Sequence, residues 1–212
     1  WKGANGTVSN TAGSITSTVS ANTAAGFSIG TYPGNSTNNS TVGHGLGGRP
    51  DLLICKKIDN SADNWTVFHH RMVGSDPEDY FMKFNSTNQP SDNHTTWNDT
   101  SPSTTVFTLG ADNRINNSNG NYLFWAWRSI PGYSHISDHD GNGDVNGTFI
   151  YTGFKPKFVI TKLLDTDSHR WILYNTGNES YNQDALTNLY ADSPGSDAAS
   201  ASGGGRIDYL SN

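Results

Sequence analysis

The chain is poor in charge, in sulfur and in glutamate. Charged residues make up 15% of its 212 residues, and 13 Lys plus Arg against 19 Asp plus Glu leave a formal net charge of −6. There is no basic run, so nucleic-acid binding, which needs cations to meet phosphates, is not expected. The single cysteine, Cys55, excludes an internal disulfide and reads as a small buried residue on a strand. No apolar stretch approaches the roughly 20 residues that cross a bilayer, so no membrane span is expected. Glutamate is confined to Glu78 and Glu179, both in expected loops. There is no nucleophile elbow, no His-Glu metal motif and no phosphate loop, and the chain reads as a non-enzyme with no catalytic residue. No segment carries a sustained 3.6-residue apolar period with caps, which predicts almost no helix.

Aromatic residues and turn formers are abundant. Six Trp, nine Tyr and nine Phe supply bulky apolar surface, and 23 Gly accompany many Asn, Ser and Thr. Aromatics with turn chemistry and few charges predict short strands joined by polar loops.

The chain also repeats itself. Residues 26–84 resemble residues 132–190 at an offset of 106 positions. Gly26 matches Gly132, Ser28 matches Ser134 and Pro50 matches Pro156; Lys56 matches Lys162, Asp59 matches Asp165 and Trp65 matches Trp171. A residue type kept in both copies serves the fold rather than one reaction. Thr161 stands at the position of Cys55 in the second copy, which argues against a role shared by both units.

The clearest predicted strands are 51–58 and 157–164. Leu52-Leu53-Ile54 and Phe158-Val159-Ile160 are continuous apolar runs, each entered through a proline that cannot donate to a ladder. A polar stretch follows each, and the next strand opens at Trp65 or Trp171, so each copy predicts a long-looped hairpin with Trp over the core. Further strands are expected at 80–84, 105–109 and 122–127, with weaker counterparts at 186–190 and 207–210. The fold class expected is all-β, two tandem β-sandwich units of jelly-roll or lectin-like type: an entry segment 1–25, a first unit 26–129, and a second unit 130–212 that is incomplete at its C-terminal end. Trp1-Lys2 resembles Trp127-Arg128, as if the chain opened on the end of a preceding copy, and a segment of a longer tandem array is expected. The alternative is that a neighbouring chain supplies the missing strands, since an open apolar edge invites aggregation.

Three groups of residues invite a chemical role. Asp138, Asp140, Asn142, Asp144 and Asn146 place oxygens at alternate positions around Gly141 and Gly143, a spacing that resembles the first nine positions of a calcium loop. The twelfth position is Phe149 rather than Glu, and an Asp/Gly/Asn hairpin loop accounts for the same residues. Were the chain catalytic after all, Asp138 and Asp144 would be the candidates. Trp97, Asn98 and Asp99 sit in a polar stretch where a ring face could stack on a sugar while amides meet its hydroxyls; a core or loop anchor is the other reading. His69 and His70, adjacent on a strand, would point to opposite faces, and His135 and His139 have helical spacing where no helix is predicted, so zinc is not expected.

The stretch Ser14-Ile15-Thr16-Ser17-Thr18-Val19-Ser20-Ala21-Asn22 before Ala25-Gly26-Phe27-Ser28-Ile29 resembles a β-rich domain of large virion proteins from tailed, often marine, phages. So do Val42-Gly43-His44-Gly45-Leu46 before Arg49-Pro50-Asp51-Leu52, and Trp97-Asn98-Asp99-Thr100. The resemblance covers nearly the whole chain and implies a lectin-like or jelly-roll sandwich in tandem, on proteins often labelled as tail or fibre. It supplies no catalytic residue. In the second copy the stretch before Lys155-Pro156 reads Phe149-Ile150-Tyr151-Thr152-Gly153 and lacks the motif Val42-Gly43-His44-Gly45-Leu46, so a special role for His44 would not be shared. The function expected is a virion structural or adhesion protein in a tail fibre, spike or capsid decoration. It would form a homo-oligomer or join other virion proteins. The alternatives are a carbohydrate-binding module for a host surface glycan and a glycan-degrading enzyme.

Overall fold

The computed structural model describes residues 1–59, 63–144, 146–176, 187–193, 198–199 and 207. Among the described residues the chain is all-β apart from a 3-10 turn, Pro77–Asp79, and two four-residue helices, α1 (His94–Trp97) and α2 (Asn113–Asn116). Asn93 and Asp112 cap the helices, their side chains accepting from the N–H groups of Thr95 and Arg114. The chain divides into two compact units, 1–83 with 90–150, and 84–89 with 151–212.

The first unit is built on an eight-stranded antiparallel sheet, in the order β1 (Val8–Asn10), β2 (Ser17–Asn22), β3 (Phe27–Pro33), β10 (Asn121–Trp127), β5 (Leu52–Lys57), β6 (Thr66–His69), β7 (Tyr80–Lys83) and β8 (Ser91–Asp92). The first 25 residues, expected as an entry segment, supply β1 and much of β2. β10 is placed where no local signal puts it. It leaves the end of the unit and inserts between β3 and β5, pairing Trp127 with Phe27 on one side and with Leu52 on the other. A second layer is the ribbon of β4 (Ser40–Gly43) and β9 (Val106–Leu109), in register from Ser40↔Leu109 to Gly43↔Val106.

The core lies between these layers. Tyr122, Phe124 and Ala126 alternate inward along β10, as a strand with two unlike faces requires. Tyr32 stacks on Tyr122 at 5.1 Å, and Phe107 meets Phe124 edge-on at 5.3 Å, joining ribbon to sheet. Leu53, Cys55, Phe68, Leu46, Trp97 and Ile115 complete the same buried cluster. Burial lifts the Cys55 thiol to about 12, which makes it a space-filling group and not a nucleophile. The outer face of the sheet is aromatic too. Trp65 stacks on Trp125 at 5.0 Å, and Trp127 packs against Phe27 at 5.3 Å.

The second unit contains a four-stranded sheet ordered β11 (Phe158–Thr161), β12 (Ile172–Asn175), β13 (Thr187–Tyr190) and β14 (Ala198–Ala199). Its first hairpin reproduces the β5–β6 hairpin residue for residue. Leu52↔His69 to Cys55↔Thr66 becomes Phe158↔Asn175 to Thr161↔Ile172, every partner shifted by the same offset as the sequence repeat. The third strand follows with one extra residue, since Thr66 faces Lys83 while Ile172 faces Tyr190. The matched glycines explain themselves as well. Gly26 and Gly132 have φ of +60° and +75°, and Gly47 and Gly153 have +72° and +77°, a region where a Cβ is strained.

The matched tryptophans differ in setting. Trp171 is buried, packing on Phe84 at 5.0 Å, whereas Trp65 precedes its strand and lies half-buried on the outer face. Trp65 is therefore outside the main core that the sequence suggests for it. No helix among the described residues is long and apolar enough to cross a membrane.

Candidate functional site

The β5–β6 hairpin decides where the polar side chains gather. Leu52 faces His69, so whatever precedes β5 and follows β6 meets at the hairpin's open end. Arg49 comes from one side, His70 and Arg71 from the other. Met72, 2% exposed, anchors the following turn through its N–H to the His69 carbonyl at 3.1 Å. The 3-10 turn then brings Pro77 and Glu78 back, and the segment after α1 brings Ser101. Arg49, His70, Arg71, Pro77, Glu78 and Ser101 line an open, polar cleft of about 530 Å³ in the first unit.

A hydrogen-bond chain crosses it. Arg49 Nη2 donates to Ser101 Oγ at 2.9 Å, and Ser101 Oγ donates to Glu78 Oε2 at 2.6 Å. His70 Nε2 donates to the Ile136 carbonyl at 3.1 Å, which leaves Nδ1 at 3.5 Å from Asp51 Oδ1. Asp51 also accepts from the Ser129 N–H at 2.6 Å. Guanidinium groups, an imidazole, a hydroxyl and a carboxylate in one open cleft can meet several hydroxyls or an acid group of a ligand. Neither Arg49 nor His70 recurs in the second copy: Lys155 and Thr176 stand at the matching positions.

His69 and His70 do not point to opposite faces. The strand ends at His69, the chain turns, and the two rings lie 5.2 Å apart. Burial, and then the charge of His70, lower His69 to about 4. His44 is fully buried in the loop after β4. Its Nε2 donates to the Ser103 carbonyl at 3.3 Å and its Nδ1 accepts from the Leu46 N–H at 3.2 Å, which fixes one neutral tautomer. Desolvation brings it to about 4. The Val42–Leu46 motif is thus a buried staple.

The sequence's own candidates fare differently. Trp97 is 1% exposed, ends α1, donates Nε1–H to the Tyr80 carbonyl at 3.1 Å and meets Phe68 edge-on at 5.9 Å. A ring so enclosed has no face to offer a sugar, and the anchor reading replaces the stacking one. Asn98 and Asp99 follow it with φ of +54° and +45°, turning the chain out of the helix. Asp99 faces Asp79, whose carboxyl is held above the usual range by desolvation first and then by Asp99 and Asp76.

Residues 138–144 and 146 are exposed and carry no strand or helix. Asn142 Oδ1 accepts from the Asp144 N–H at 3.1 Å, and Asp144 Oδ1 accepts from the Asn146 N–H at 2.9 Å. Asn142 Nδ2 donates to the Asn146 carbonyl at 2.9 Å, and Thr148 closes on the Asp140 carbonyl at 2.7 Å. The Oδ1 atoms of Asn142 and Asp144 are therefore engaged in successive Asx turns. Among the described residues no three His, Cys, Asp or Glu side chains gather as a metal site requires. Glu179 and most of the 207–210 strand expectation lie outside the described residues.

The cleft could have been read from the sequence in one respect. Once the hairpin is recognised, Arg49 and His70 must share its open end. Ser101 and Glu78 carry no such signal, because long loops deliver them.

Comparison with known proteins gives a single finding. No curated protein and no solved structure matches the chain. A family described as a domain of unknown function, DUF7483, matches residues 1–212, and the chain belongs to that family.

Proposed function

We propose that the chain is a non-enzymatic structural and adhesive module on the outside of a phage particle, in a tail fibre, spike or capsid decoration. In this reading it consists of tandem jelly-roll or lectin-like β-sandwich units, assembled as a homo-oligomer or with other virion proteins. The observation that carries it is the hairpin built twice in one register, β5–β6 and β11–β12. Residues kept in both copies serve backbone and loop geometry, as expected of a module whose task is to be a stable, repeated spacer with variable polar loops. The likeness of residues 14–29, 42–52 and 97–100 to virion domains supports the location. Labelled antibody against this chain, applied to intact particles, tests it: decoration of a tail or capsid is the expected result, and particles that never carry the chain would end the proposal.

The cleft favours a second reading, recognition of a host surface glycan. Arg49, Glu78, Ser101 and His70 present donors and an acceptor in an open groove, and the arginine and histidine are specific to the first copy. A glycan array probed with a multivalent form of the chain separates the two readings. Binding lost in Arg49→Ala supports the glycan reading, uniform silence supports the spacer. Release of reducing ends from host polysaccharide would instead establish an enzyme.

A further inference from the structure

β5 and β11 are the same strand of the repeat, yet their neighbours differ. β5 lies between β6 and β10, with β10 in register from Trp127↔Leu52 to Tyr122↔Lys57. β11 has β12 on one side and, among the described residues, no strand on the other. The Thr176 N–H donates to the Lys157 carbonyl at 3.0 Å, so that pair is a hydrogen-bonded one. Strict alternation then turns the N–H and C=O of Phe158 and Ile160 away from β12, towards the other edge of β11. Their counterparts Leu52 and Ile54 lie against β10.

The side chains record the same difference. Ile54 is 7% exposed, while Ile160 is 38% and Phe158 40% exposed. In the first unit β10 sets Trp125 beside Ile54 and Trp127 beside Leu52. Nothing equivalent covers Ile160 and Phe158 among the described residues. An apolar edge with outward backbone donors and acceptors is a template for another strand.

We propose that the edge of β11 away from β12, which no described strand pairs, is a docking site for an extended antiparallel strand of the β10 type, supplied by a separate partner polypeptide. Such a strand carries aromatic or apolar residues at alternate positions. Its residue matching Trp125 falls opposite Ile160, and that matching Trp127 falls opposite Phe158. The first unit shows both the occupant and its register. β10 of a second copy is not the donor, because it is hydrogen-bonded on both sides within its own sheet. The inference stands on the repeat and does not rest on the virion reading.

The test uses the whole chain and a labelled peptide with the sequence Asn121–Arg128, carrying a lysine-rich tag for solubility. Saturable binding is expected by fluorescence anisotropy, with slowed amide exchange at Phe158 and Ile160. Ile160→Pro removes one outward donor and leaves the β12 ladder intact, and should weaken binding by about tenfold or more. Trp125→Asp in the peptide should do the same. Absence of saturable binding would overturn the proposal, as would binding that leaves both amides exchanging as before. Concentration-dependent dimers of the chain alone that protect these amides would also overturn it, making a second copy the occupant. Should Ile160→Pro fail to fold, the exchange measurement on the unaltered chain still decides.

Discussion

Lys56 Nζ donates to the backbone carbonyl of Asp63 at 2.8 Å, across the loop that joins β5 to β6. Its counterpart Lys162 donates to the carbonyl of His169 at 2.6 Å, and His169 is the position matching Asp63. The residue types at the acceptor differ, so what recurs is a bond from an ammonium to main chain. That bond is indifferent to the loop's side chains, which leaves the loop free to vary while its ends stay tied.

Lys56→Met and Lys162→Met should each loosen one hairpin. Loss of a charge-assisted hydrogen bond costs about 1.5 kcal/mol, the methylenes being kept, and Lys162 loses a second such bond, to the Thr87 carbonyl. Amide exchange should accelerate in β5–β6 for the first substitution and in β11–β12 for the second. Unchanged exchange in both would show that the lysine recurs for another reason.

Trp97→Ala should cost about 3–5 kcal/mol, as for a large ring removed from a packed core. Trp97→Phe should cost less, but it leaves the Tyr80 carbonyl without its indole partner. Urea unfolding measures both. A Trp97→Ala protein of unaltered stability that had lost glycan binding would restore the stacking role rejected above.

Acid should destabilise the fold through His44 and His69. Both sit at about 4 in the folded chain, below the ordinary value of 6.5, chiefly because burial disfavours the charged ring. Between these values the unfolded chain holds more protons, so stability falls as pH drops from 6.5 towards 4 and levels off below. For the fully buried His44 the loss is on the order of 3 kcal/mol. His44→Gln should flatten the dependence of unfolding free energy on pH across that window. An equally steep slope in the variant would remove His44 from the account.

Gly110→Ala should be severe and Gly141→Ala silent. A Cβ at Gly110 would lie 1.8 Å from the Thr95 carbonyl oxygen, a backbone atom held by α1, so something must move. A Cβ at Gly141 meets nothing within 4 Å. The first change should lower the melting temperature by many degrees, and the second should stay within about 0.5 kcal/mol of the parent. Equal behaviour would contradict the placement of α1 against β9.

Millimolar calcium should leave the chelator-treated protein unchanged. The oxygens of Asn142 and Asp144 serve Asx turns, and a turn needs no cation. Calorimetric titration should show no heat, and the melting temperature should not move. A saturable heat, abolished by Asp144→Ala, would return the loop to the calcium reading.

Hairpins are legible in a sequence because their information is local. Pro50, Leu52-Leu53-Ile54 and the following alternation are enough to place β5 and β6, and the second copy confirms the register. Helix absence is legible in the same way, since α1 and α2 are single turns whose caps, Asn93 and Asp112, act over a few residues. The cleft is half legible: Arg49 and His70 follow from the hairpin, while Ser101 and Glu78 arrive through loops whose course no pattern states. Trp97 shows the opposite failure. Its polar neighbours suggest a surface, but Tyr80 and Phe68, distant in sequence, enclose the ring.

By itself the sequence determined the all-β character, the doubled hairpin and the residues that tie it, because turn chemistry, apolar alternation and φ constraints act between near neighbours. Only the tertiary structure decided that β10 enters between β3 and β5, that Trp97 and His44 are sealed in, and that Trp65 stays on the outer face. Those outcomes depend on which strands pair and what packs over them, a competition among non-local contacts that no short stretch of residues encodes.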